Sequence, residues 1–188
     1  MSLNETSRQL LLELAKHSIR YGLQTGRPLK INLGDYPKEL SELCATFVTL
    51  QINHHTAILR GCIGTLKAAR PLAEDIAENA FSAAFRDPRF PPLEAHELDD
   101  LEIHLSILAP AELVSFSSEQ DLLSQLQPNI DGLILEEGHW RGTFLPSVWE
   151  LLPEPDQFLR NLKQKAGLPP DYWSQNIRIY RYHVETIN

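Results

Sequence analysis

Cysteine is scarce in this chain: Cys44 and Cys62 are its two cysteines, too few for a disulfide framework, and both are expected to be free thiols. No apolar run approaches the length of a membrane span, and the N-terminus lacks the charged start and greasy block of a signal peptide, so a cytoplasmic protein is the expectation. A basic excess is absent too. The net charge of −8 and pI near 5.3 argue against general nucleic-acid or anionic-membrane binding, which needs a positive field. There is no phosphate-binding glycine loop, and the seven histidines show no metal-ligand spacing, so neither a nucleotide cofactor of the P-loop or dinucleotide-fingerprint type nor a structural metal is expected.

What remains is ample for a core: 188 residues that are 43% hydrophobic, sized for one domain with room for two lobes. The spacing of Leu10, Leu11, Leu14, Ile19 and Leu23 predicts a helix from about Leu3 to Tyr21, opened by a capping box at Ser2 to Glu5 and ended by Gly22 and Gly26. Leu43 to Asn53 and Leu59 to Gly64 read as a hairpin around Asn53-His54-His55-Thr56. An alanine-rich helix runs from Pro71 to about Phe85 and stops at Arg86-Asp87-Pro88, because the residue before proline is pushed out of helical geometry. Strict alternation from Leu101 to Leu108 puts Leu101, Ile103, Leu105 and Ile107 on the core side, with Glu102, His104 and Ser106 on the other.

Farther on, a short helix spans Glu119 to Leu126, and a second hairpin is centred on Gly138. A helix from Asp156 to Ala166 stops at Gly167, and a last strand covers Ile177 to Val184. Strand pairs joined by hairpins with interspersed helices make an α+β fold with antiparallel or mixed sheets.

The stretch Leu59-Arg60-Gly61-Cys62-Ile63-Gly64 stands out, because an arginine, a thiol and two glycines interrupt a core-like strand. Alternation places Arg60, Cys62 and Gly64 on one face, and a two-residue loop would set Cys62 opposite Phe47 and Arg60 opposite Thr49. Val48, Leu50, Ile52, Leu59 and Ile63 then form the buried face. Glycines flanking a cysteine indicate a bulge, or a place where a ligand or another backbone comes close. Cys62 is the candidate nucleophile, against the reading of a small buried hydrophobe. His54, His55, His104 and His139 are candidate bases with no choice among them.

Arg86, Asp87 and Arg89 form a second constellation on a stiff turn. Together with Arg60, Gly61 and Gly64 they outline a candidate anion-binding cleft for a small anionic or nucleotide ligand. The competing reading is that carboxylates neutralise these arginines internally.

As a set, LRGCIG at Leu59 to Gly64, FVTL at Phe47 to Leu50 and RDPRF at Arg86 to Phe90 resemble the AMMECR family. GLIL at Gly132 to Leu135, Leu145-Pro146 and KAGL at Lys165 to Leu168 followed by Trp173 extend the match over nearly the whole chain. The resemblance implies one α+β domain, residues 1–188, in two subdomains, with the LRGCIG segment lining a cleft between or beside them. It also implies likeness to the A component of the AmmeMemoRadiSam set, whose partners are a Memo-like protein and a radical-SAM protein. Its activity is not implied. Ser147 stands where a glutamine is common and Lys163 where a cysteine is common, which removes a second cysteine from consideration. The favoured expectation is a binding or accessory module, and the alternative is an enzyme with Cys62 as nucleophile.

Overall fold

A computed structural model describes residues 3–53 and 57–188. The chain divides into two compact units, one of Met1–Leu108 with Glu185–Asn188, the other Ala109–Val184. Helices and antiparallel sheets alternate in an α+β fold.

In the first unit, α1 (Glu5–Thr25) opens on Asn4, whose side chain accepts the Ser7 N–H, and closes at Gly26 in the left-handed region at φ 68°. This differs at both ends from the sequence reading. The cap is Asn4 rather than a box built on Ser2, which lies outside the described residues, and the helix passes straight through Gly22. A Cβ at Gly22 would sit 2.4 Å from the Phe85 ring and 2.7 Å from that of Phe81, so this glycine admits two aromatic rings instead of ending the helix.

Strand β1 (Leu43–Asn53) pairs antiparallel with β2 (Ala57–Gly64) on one side and with β4 (Leu101–Leu108) on the other. The short β3 (Arg70–Pro71) joins the start of β1, and β9 (Val184–Ile187) completes the order β2-β1-β4-β9. The hairpin tip at His54-His55 lies outside the described residues. Helix α2 (Leu72–Phe85) packs on the face made by Val48, Leu50, Ile103 and Leu105, sharing its core with Leu11, Ala15 and Ile19 of α1. Asp75, almost fully buried on α2, accepts from the Thr46 N–H (3.1 Å), the Thr46 hydroxyl (2.7 Å) and Asn79, and is paired with Arg70 (2.8 Å). A buried carboxylate needs such partners, and here they tie the helix to the strand.

The β1–β2 register departs from simple alternation. Leu50 pairs with Gly61 and Gln51 with Leu59, so Arg60 is an inserted residue without a partner in the ladder. Cys62 lies opposite Thr49, not Phe47, and Arg60 is not opposite Thr49. The insertion turns Leu59 to the Gln51 side, where it is 38% exposed, while Val48 and Leu50 are fully buried and Ile52 and Ile63 half-buried. The expected burial of Leu59 fails because a bulge reverses the facing of every residue beyond it.

The second unit carries a sheet of order β5-β8-β6-β7, made of β5 (Glu112–Leu113), β6 (Gly132–Glu137), β7 (Trp140–Phe144) and β8 (Arg178–Tyr182). With α3 (Glu119–Gln125) and α4 (Pro155–Ala166) it encloses a core centred on Trp149 stacked on Phe158 at 3.7 Å. Lys163, fully buried on α4, is ion-paired with Glu119 and lies over the Trp173 ring, which supplies the partners a buried ammonium requires. The stretch read as one last strand is two: β8 belongs to this sheet and β9 to the other, with the break at His183. No helix among the described residues is long and apolar enough to cross a membrane.

Candidate functional site around Cys62

Cys62 is the sixth of the eight residues of β2, an outer strand of its sheet. Its Sγ receives a hydrogen bond from the Thr49 hydroxyl at 3.1 Å. Its backbone is held from outside the sheet: the N–H donates to Asp87 Oδ2 at 2.9 Å, and the carbonyl accepts from Arg89 Nη2 at 3.3 Å. Those two residues come from the turn that ends α2. Pro88 prevents the helix from continuing, so residues 86 to 90 fold back against β2.

Asp87, 4% exposed, accepts four hydrogen bonds, from Cys62 N, Arg89 N (3.1 Å), Arg89 Nε (3.0 Å) and Arg89 Nη2 (2.7 Å). The Arg89 guanidinium, with help from the two backbone N–H groups and against burial, holds the Asp87 carboxyl far below the usual carboxylate range. In return the hydrogen bonds to Asp87 raise the Arg89 pKa, against burial, which lowers it.

The glycines of the strand serve packing. A Cβ on Gly61 would lie 2.2 Å from the Ala83 carbonyl oxygen, so the close approach at this position is made by the α2 backbone. At Gly64 a Cβ would meet the Phe47 ring and the Thr46 carbonyl, each at 2.3 Å.

Of the three arginines, only Arg89 meets Cys62. Arg60, 9% exposed, is clamped by Glu97 through Nε (2.6 Å) and Nη2 (3.0 Å), and this contact lowers the Glu97 pKa. Its Nη1 is buried without a hydrogen-bond partner among the described residues. Arg86 pairs with Glu78 at 3.2 Å and lies over the Phe81 ring, both on its own helix. Each guanidinium therefore has a carboxylate partner. Glu97 carries no sequence signal; only the bulge brings Arg60 to it.

Across the sheet, Cys62 pairs with Thr49, and Thr49 with His104 on β4, so the three share one cross-strand row. His104 Nδ1 is 2.9 Å from Asn188 Oδ1, while Nε2 is buried with no hydrogen-bond partner among the described residues. Two strand spacings separate thiol and imidazole, about 10 Å, well beyond the reach of a proton transfer. Among the candidate bases, His54 and His55 lie outside the described residues, and His104 is the one in register. Cys44, on the opposite face, packs against the core, and burial pushes its thiol pKa up. Both thiols are unbridged. No group of three or more His, Cys, Asp or Glu among the described residues could hold a metal ion.

Comparison with known proteins extends the resemblance to whole chains. Protein MJ0810 of Methanocaldococcus jannaschii is 36% identical over 190 residues, spanning 95% of this chain and 91% of that one. A protein of Methanothermobacter thermautotrophicus is 36% identical over 185 residues, with 97% and 94% covered. The crystal structure of an uncharacterised protein, PH0010 of Pyrococcus horikoshii, superimposes with a TM-score of 0.87 at 35% identity, covering 98% of this chain and 92% of that one. Since the AMMECR1 family model also matches residues 12–187, this chain belongs to the AMMECR1 family.

Proposed function

We propose that the chain is a binding module for a small anionic ligand, taken at the outer edge of β2 beside Cys62 with Arg89 as the anchoring cation. The state of the Arg89 guanidinium carries this reading. Nε and Nη2 are engaged by Asp87 and the Cys62 carbonyl, Nη1 has no hydrogen-bond partner among the described residues, and 54% of the side chain is exposed. A planar fork already immobilised on one side loses little further freedom when a carboxylate or phosphate docks on the other. Because Asp87 offsets much of its charge, binding also needs neutral contacts, for which the thiol of Cys62, the residue whose carbonyl Arg89 holds, is the nearest group. Such a module would present its ligand to partner enzymes, and the AmmeMemoRadiSam resemblance names a Memo-like and a radical-SAM protein for that part.

The second reading, Cys62 as a nucleophile, is favoured by the Thr49 hydrogen bond on Sγ. It ranks below the first because a nucleophile needs its base within hydrogen-bond reach.

Thermal shift with inorganic phosphate, a dicarboxylate and a nucleoside monophosphate tests the proposal. At least one should raise the melting temperature of the parent, with the increment lost in Arg89→Ala, reduced in Arg89→Lys and kept in Arg86→Ala, each measured against its own ligand-free midpoint. If no anion shifts the parent, the binding reading fails. A stable adduct on Cys62, absent in Cys62→Ser, would favour the nucleophile instead.

A further inference from the structure

An outer strand presents unpaired N–H and C=O groups to which another chain can add. The first sheet has two such edges, and they are treated differently. At one, the outer strand is the four-residue β9, held in place by the Arg8–Glu185 pair at 2.7 Å. At the other, no strand among the described residues lies on the outer side of β2, yet both backbone groups of Cys62 are occupied, the N–H by Asp87 and the carbonyl by Arg89. One acceptor and one donor are what the peptide groups of an adjacent strand would offer. Here an ion pair on a proline-stiffened turn offers them.

We infer that Asp87 and Arg89 stand in for a missing strand at the outer edge of β2 and thereby keep that edge from pairing with a second copy of this chain. A second copy is the natural intruder. An antiparallel pairing of β2 with itself about Cys62 is self-complementary, as a two-fold interface requires. The paired span would run from Arg60 to Gly64 of each copy, and the exposed Leu59, 38% accessible, would flank it at both ends. The device also gives a physical reason for the contact between the LRGCIG and RDPRF segments that holds whether or not Arg89 binds a ligand.

The test is the double variant Asp87→Ala with Arg89→Ala, compared with the parent over a range of concentrations by size exclusion with light scattering, together with amide exchange at Cys62. The expected result is exchange at Cys62 at least tenfold faster and a mass that rises with concentration beyond the parent's. Adding Leu59→Lys, a charge on the freed edge, should return the mass to the parent's, which distinguishes edge pairing from aggregation through unfolding. Arg89→Met, which leaves Asp87 on the Cys62 N–H, should associate less than the double variant, and it takes over the comparison with the parent if the double variant shows an unfolded circular dichroism spectrum. Loss of Cys62 protection with a mass curve that superimposes on the parent's would overturn the inference, as would association that Leu59→Lys does not reverse.

Discussion

Replacing Gly61 with alanine tests the packing on which the Cys62 site rests. The new Cβ would lie 2.2 Å from the Ala83 carbonyl oxygen and 3.1 Å from its carbon, atoms that belong to the α2 backbone and cannot swing aside as a side-chain tip would. Helix and strand must therefore separate by about 1 Å, opening the contact of the alanine-rich face of α2 with the sheet. Gly61 does not have positive φ, so alanine brings no backbone strain and restricts the unfolded chain, a gain of about 0.4–1 kcal/mol. Overpacking costs about 1–3 kcal/mol and more where nothing can relax, so a net loss of about 2 kcal/mol is expected. For a chain of this size that lowers the melting temperature by roughly 4–8 °C. The assay needs care in its probe, because Trp140, Trp149 and Trp173 all belong to the second unit and their fluorescence reports on it. Far-ultraviolet circular dichroism, which includes the long α1 and α2 of the first unit, is the proper signal. A Gly61→Ala protein whose dichroism melts within a degree of the parent would refute the close approach of α2 to β2.

Acid should weaken the fold through Asp87 and Glu97. Both carboxyls have lowered pKa values in the folded state, so their contribution is present above the unfolded values near pH 4 and is lost as the pH falls below them. The urea midpoint should drop steeply below about pH 4, and more shallowly in Asp87→Asn; equal slopes in the two proteins would contradict the coupling. The thiols should also differ. Cys44 is packed against the core with its pKa raised by burial, so timed alkylation followed by mass spectrometry should modify Cys62 first. Equal rates would make Cys62 a packing residue.

Local pattern alone determined much of this protein. Proline and glycine positions mark the ends of α2 and α4, alternation assigns the buried side of β4, and the arginine, thiol and glycines of 59 to 64 mark the strand where the site lies. These signals are legible because they act within a few residues, through backbone sterics and side-chain period. The rest was decided by contacts between segments distant in sequence. An inserted Arg60 reverses Leu59 and sends its guanidinium to Glu97, and register brings Thr49 and His104 into line with Cys62. A turn 25 residues further along closes on the Cys62 backbone, and the arginines that read as free charge each meet a carboxylate. Spacing in sequence carries no information about which carboxylate a guanidinium will meet, because that depends on where a bulge falls and how closely a helix can approach a strand.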